Sequence, residues 1–209
     1  MTVDPSGASA PALIDRIKNI LLTPQTEWEK IDAEAADVNK IYLGYVLPLA
    51  ALGAICAFIG TSVFGVNLFG TIYRVPMVTG LVGAVLQIGL SLAGVFLLAF
   101  VANALAPSFG SQQNMGQAHK LAAYGSTAGF LAGVFSIVPA LAILGIVGLY
   151  SLYLLYVGMP RMMKTPEDKR LVYLIVLILV VAVAWIVIGT VMGAVRGAMG
   201  GAPAYPFGG

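Results

Sequence analysis

Charge is what this sequence has least of. Of 209 residues only 10% are Asp, Glu, Lys or Arg, against about 25% in an ordinary soluble domain. Hydrophobic residues make up 59% and the mean hydropathy is +0.94, so the chain is built for a bilayer and not for water. The shortage is uneven: between Asp37 and Glu167 there is no Asp or Glu at all. Proton pumps and ion-coupled carriers commonly keep a carboxylate in the bundle, because an ionisable group there is costly and retained for its work. None is available here. Cysteine and histidine are scarcer still. Cys56, the single cysteine, sits in an apolar run, can form neither an internal disulfide nor a metal cluster, and reads as a small buried hydrophobe. His119, the single histidine, has no Cys, carboxylate or second His beside it, so it reads as a surface or interfacial residue and no metal is predicted. No embedded Ser or Thr has an Asp–His pair to activate it. A membrane enzyme would have only loop residues, His119 with Glu167 or Asp168, to work with, so the chain is read as non-enzymatic and no cofactor is implied. A net charge of +2 gives no footprint for nucleic acid.

What is present divides the chain into four regions. Residues 1–11 are small and polar, lack the positive n-region and apolar core of a secretory signal, and are expected to be flexible. Residues 12–40 form a cytoplasmic amphipathic helical region. From Ala12 to Leu22 the apolar Leu13, Ile14, Ile17, Ile20 and Leu21 recur at helical spacing with Asp15, Arg16, Lys18 and Asn19 between them. Thr23-Pro24 then reads as an N-cap with proline at the first helical position, opening a second short helix with Trp28 and Ile31. The two are expected to lie as an interfacial hairpin. Residues 41–196 carry five apolar segments, at about Ile41–Phe64, Met77–Ala106, Leu121–Val138, Leu141–Met159 and Leu171–Val195. A hydrocarbon core of about 30 Å needs about 20 helical residues. Residues 197–209, rich in Gly and Pro, cannot build a core and are expected to be disordered. The fold class is therefore an all-α integral membrane protein, five transmembrane helices preceded by short amphipathic ones. Arg16, Lys18, Lys30, Lys40, Lys120, Arg161, Lys164, Lys169 and Arg170 fall on one side of that topology, with only Arg74 and Arg196 opposite. The positive-inside rule places the N-terminus in the cytoplasm and the C-terminus outside.

Within the spans the polar side chains are neutral. Gln87 and Ser91 stand four apart in the second span and Asn103 lies near its end, placed either to line a polar site or to bond between helices. Tyr150, Tyr153 and Tyr156 recur every three residues on one drifting face, where they either line a cavity or combine packing with hydroxyl-to-backbone bonds. Gly125, Gly129 and Gly133 repeat at spacing four, as do Gly189, Gly193 and Gly197. Such stripes let helix backbones approach closely and read as packing seams. In the loop PRMMKTPEDKR, Thr165 is placed to cap the fifth helix, with Pro166 first in the helix and Asp168 at the capping-box position. Arg161, Lys164, Lys169 and Arg170 then face either the anionic leaflet or a cytosolic partner.

The segments LIDRIKNILLTPQTEWEKI, AYGSTAGFLAGVFSIVPAL and LYSLYLLYVGMPRMMKTPEDK, followed by a long apolar helix, resemble in order and content the bacterial branch of the YIP family, the Ypt/Rab-interacting membrane proteins. The resemblance runs from about Leu13 to Val195. It implies five spans and a cytoplasmic N-terminus in the bacterial inner membrane, and it brings no catalytic residue set. The acidic DLYGP signature of the eukaryotic members is absent, which counts against a small GTPase as a partner. The reading that follows is a protein acting by association with the lipid bilayer and with a membrane-protein partner or further copies of itself. It would organise membrane or serve as an accessory subunit. The alternative is a channel or carrier for a neutral or lipid-like substrate.

Overall fold

The computed structural model describes residues 10–68 and 71–198; most of the two tails, 1–11 and 197–209, lies outside them. Helix α1 (Ala10–Leu22) turns its apolar stripe inward. Ile20 is fully buried, and Leu13, Ile17 and Leu21 pack against the core, while Ile14 and Leu22 stay exposed. Helix α2 (Pro24–Ala33) begins with a proline in its first turn, where the missing N–H would have been unpaired anyway. Thr23 precedes it as expected but does not cap it. Its hydroxyl donates back to the Asn19 carbonyl at 3.1 Å, closing α1 instead.

The first apolar tract is one continuous rod of α3 (Val38–Ile41), a π-helical turn (Tyr42–Val46), α4 (Leu47–Phe58) and a second π-helical turn (Ile59–Phe64). Asp37 starts it, accepting from the Lys40 N–H at 3.1 Å. The first wide turn comes just before Pro48, whose ring would crowd the Gly44 carbonyl and which has no N–H to return to it. Widening relieves that crowding, and the Leu47 N–H reaches the Tyr42 carbonyl. Gly65, at a φ of +80° that favours glycine, ends the rod. Between it and Pro76 the sequence implied only a break; the structure has an antiparallel pair, β1 (Val66–Leu68) with β2 (Thr71–Tyr73), Val66 opposite Tyr73.

Helix α5 (Met77–Leu105) is one uninterrupted apolar helix, about 43 Å at 1.5 Å per residue. A 3-10 turn (Ala106–Phe109) with Pro107 closes it. The third expected span, continuous over Leu121–Val138, is instead a broken rod. It runs through α6 (Met115–Gly125), a turn at Ser126, α7 (Thr127–Ala132) and a 3-10 turn (Gly133–Ile137). Gly125, Ser126 and Thr127 are poor helix formers, and the Thr127 hydroxyl donates to the Tyr124 carbonyl at 2.6 Å, competing with the helix ladder. The fourth tract opens as a 3-10 helix (Pro139–Leu149) and continues as α8 (Tyr150–Met162). Helix α9 (Glu167–Ala198) follows. Thr165 does not cap it: buried, it accepts from the Ser111 hydroxyl at 3.0 Å and donates to the Met159 carbonyl at 3.3 Å.

Among the described residues four tracts are long and apolar enough to cross a membrane: Val38–Phe64, Met77–Phe109, Ile143–Met162 and Glu167–Val187. Helix α4 packs on α5 and on the Gly133–Ile137 turn, α5 on α6 and α9, and α6 on α8. The closest backbone approach comes where a Cβ on Gly60 would lie 1.9 Å from the Ser136 carbonyl oxygen. Large apolar side chains stay exposed on α5 (Leu81, Val85, Leu90), before α8 (Ile143, Ile146) and on α9 (Ile175), a distribution suited to lipid and not to water.

Candidate functional site

Two places gather the polar side chains. The first is at the end of the bundle covered by α2. Its carboxylates meet basic groups from distant parts of the chain. Glu27, 2% exposed, pairs with Arg16 at 2.8 Å and Lys30 at 3.1 Å, and Arg16 also pairs with Glu34. Glu29 meets Arg161 at 2.6 Å, and Asp32 meets Lys164 at 2.8 Å and the Gln117 amide at 3.0 Å. Lys120 is 1% exposed and donates to the Ile31 carbonyl at 2.8 Å and to the Glu34 carbonyl. The Ile31 carbonyl, in the last turn of α2, also accepts from the Glu34 N–H at 3.3 Å, and Glu34 follows the helix directly, so a cation there complements the helix dipole. Burial holds the Lys120 ammonium below its ordinary value, with Glu34 and Asp32 opposing the shift. Beneath this clasp Trp28 is fully buried, edge-on to Tyr124 and so close to α8 that a Cβ on Gly158 would lie 2.7 Å from the indole.

Several expectations change here. Arg161 and Lys164 engage α2 and do not simply face lipid. Arg170 pairs with Glu167 at 3.3 Å and lies 4.9 Å over the Tyr156 ring; Lys169 is exposed. His119 is not a surface residue. It is 3% exposed, its Nδ1 is 3.0 Å from the Tyr42 hydroxyl, and its ring sits between those of Tyr42 and Phe96. Burial pushes the imidazole below its ordinary value.

The second place is an open cleft of about 390 Å³ at the break in the third rod, between α4, α5, α7 and the start of α8. Gln87 and Ser91 line one wall, and Ser126 and Ser151 face it from the others. Ser91 is the middle residue of α5, so the cleft lies halfway along that apolar tract. Its floor is backbone, laid bare by Gly53, Gly129, Gly133 and Gly148. A Cβ on Gly133 would stand 3.4 Å from the Gly53 Cα, and one on Gly148 3.4 Å from the Gly129 Cα. The break frees the Gly129 N–H, which donates to Ser151 Oγ at 2.8 Å. No ionisable side chain lines the cleft, so the arrangement can accept and donate hydrogen bonds but cannot transfer protons near neutrality.

The structure thus brings Gln87 and Ser91 together with two serines that sequence reasoning passed over. The helix-breaking run Gly125-Ser126-Thr127 was the available signal for Ser126. Asn103 is elsewhere, near the end of α5. Its carbonyl accepts from the Gln113 amide at 3.1 Å, and its side-chain oxygen is buried without a partner among the described residues. The tyrosines do not line this cleft. Tyr150 donates to the Leu21 carbonyl at 2.9 Å, tying α8 to α1; its ring is 5.2 Å from that of Tyr153, and Tyr156 lies under Arg170. Of the glycine stripe, Gly125 faces Leu155, Gly129 faces Ser151 and Gly133 faces Gly53. What Gly189, Gly193 and Gly197 pack against lies outside what is described.

Comparison with known proteins was informative at the level of family. A family model described as the Yip1 domain matches residues 18–188. Two curated relatives, each an "Inner membrane protein YohC", come from Escherichia coli strain K12 and from Escherichia coli O6:H1 strain CFT073. Each is 35% identical over 117 residues, covering 56% of this chain and 60% of the relative. The chain thus aligns with less than two thirds of those relatives' length. No solved structure matches.

Proposed function

Because this chain belongs to the Yip1 domain family, we propose that it is a non-enzymatic protein of the bacterial inner membrane that acts by association. It organises lipid or serves as an accessory subunit of a larger membrane complex. The two Escherichia coli relatives are inner membrane proteins, and the described surface of this chain is broadly apolar.

The observation that carries the proposal is the clasp. Three segments meet at one end of the bundle: the N-terminal α2, the start of α6 with Gln117 and Lys120, and the last turn of α8 with Arg161 together with the α8–α9 loop, which carries Lys164. Two apolar tracts separate α2 from α6, and two more, the broken rod and the α8 tract, separate α6 from the loop. Each pair must go out and come back. That supports counting the broken third rod as a crossing and α9 as the fifth, and the positive-inside rule supports a cytoplasmic basic end with the C-terminus outside. The close contacts at Gly125, Gly129 and Gly133 support their reading as a seam that holds the broken rod to its neighbours. Such a body offers docking faces and no acid–base machinery.

The test is purification from the source membrane in native nanodiscs, with mass spectrometry to give the ratio of what accompanies it. A stoichiometric membrane protein, or one lipid class enriched over the bulk membrane, is the expected result. A lone protein with bulk lipid that moves a solute in liposomes would overturn association in favour of transport.

A further inference from the structure

We propose that the mid-span cleft is a binding site for a lipid whose polar end is uncharged and carries a hydroxyl, of the diacylglycerol type. The inference deepens the association reading by naming a ligand, and it stands on the cleft alone.

Polar side chains at bilayer depth ordinarily bond to neighbouring helices or to their own backbone, because an unpaired polar group in hydrocarbon costs several kcal/mol. Thr61, Thr127 and Tyr173 follow that rule. The cleft does not. Among the described residues no protein group hydrogen-bonds the side chains of Gln87, Ser91 or Ser126, and Ser151 uses only its acceptor side, for the Gly129 N–H. The site therefore presents an amide and three hydroxyls, all able both to donate and to accept. A free hydroxyl and two ester carbonyls complement such a set.

Charge decides against other lipids. No cationic or anionic side chain lines the cleft, and a phosphate or carboxylate brought to mid-span without a counter-charge would meet a heavy desolvation cost. An uncharged head meets none. The cleft is open, with a volume of about 390 Å³. It falls in the range of about 300–1,000 Å³ typical of small-molecule sites. The exposed Leu86 and Leu90 on α5, on the flank of the Gln87–Ser91 face, supply an apolar track for acyl chains.

The experiment uses the full-length protein in nanodiscs with a photoactivatable diacylglycerol, and a photoactivatable phosphatidylglycerol in parallel. The diacylglycerol probe should label peptides from α5 and from the α7–α8 region, and unlabelled diacylglycerol should compete. Ser91→Ala and Gln87→Leu should each lower that labelling about fivefold, the loss of one hydrogen bond. Ser91→Ala only removes an oxygen, and Gln87 is exposed, so a melting curve on the same sample separates lost binding from lost fold. Equal labelling by the two probes, labelling that neither variant changes, or crosslinks from the cleft to a second copy would each overturn the proposal.

Discussion

The two polar regions of this protein obey opposite rules. At the clasp nearly every charged group has a partner: Glu27, Glu29, Asp32 and Glu34 meet Arg16, Lys30, Arg161 and Lys164, and Lys120 closes the end of α2. At the cleft, Gln87, Ser91 and Ser126 face open space halfway along α5. A satisfied polar network fixes structure, whereas an unsatisfied one leaves its hydrogen-bonding capacity for something else. The charged residues that attract attention in the sequence are therefore the architectural ones here, and the neutral ones are candidates for recognition.

The largest expected effect lies under the clasp. Trp28→Ala should cost about 3–5 kcal/mol, the usual loss for a fully buried aromatic, read as a lower melting temperature in detergent. A change within a few tenths of a kcal/mol would mean that α2 rests on the bundle without holding it. Gly60→Ala should come next, at about 1–3 kcal/mol, because the new methyl meets the Ser136 carbonyl oxygen. Unchanged melting there would show that the first and third rods separate easily and that the cleft has no fixed wall.

A smaller effect depends on pH. The His119 imidazole is held below its ordinary value by burial. In the folded state it therefore binds fewer protons than in the unfolded chain. Stability is unaffected by it well above the free value of about 6.5 and falls as pH drops through and below that value. Between about pH 7.5 and about pH 5.5 the wild type should lose more melting temperature than His119→Gln; parallel slopes would remove the histidine from this role. The smallest effect belongs to the rim of the clasp. Arg161 and Glu29 are each about half exposed, and a double-mutant cycle should give a coupling of at most about 1 kcal/mol, screened by salt. A larger coupling would make the rim as important as the buried Lys120.

Length and hydropathy alone located most of the rods. The second span was expected at Met77–Ala106 and α5 covers Met77–Leu105, since a long uncharged and mainly apolar stretch between two prolines leaves little choice. The first was expected from Ile41 and begins at Val38. The third segment was read as one unbroken helix because its composition is uncharged and mainly apolar. Only local competition, at Gly125 to Thr127, reveals the break, and a hydropathy window averages it away. Thr165 shows the same limit: its spacing is that of a cap, but burial beside Ser111 decides where its hydroxyl goes. The clasp was hidden for a different reason. Arg161 and Glu29 are far apart in sequence, and no periodicity connects them. At the cleft the Gln87 and Ser91 pair was legible from its i, i+4 spacing. Gly53, the partner of Gly133, was not, because it stands outside any repeat.

The central claim is that the broken third rod crosses the membrane, which puts the clasp inside, the cleft at mid-span and the C-terminus outside. Single-cysteine labelling in right-side-out vesicles with a membrane-impermeant maleimide tests it directly, with Cys56, which is buried, left in place or changed to Ala. Cysteines at Lys18 and Lys169 should react only after permeabilisation, while those at Thr71 and at the C-terminal end should react in intact vesicles. Reaction at Lys169 from outside, with Lys18 protected, would mean that the third rod does not cross and would contradict the account.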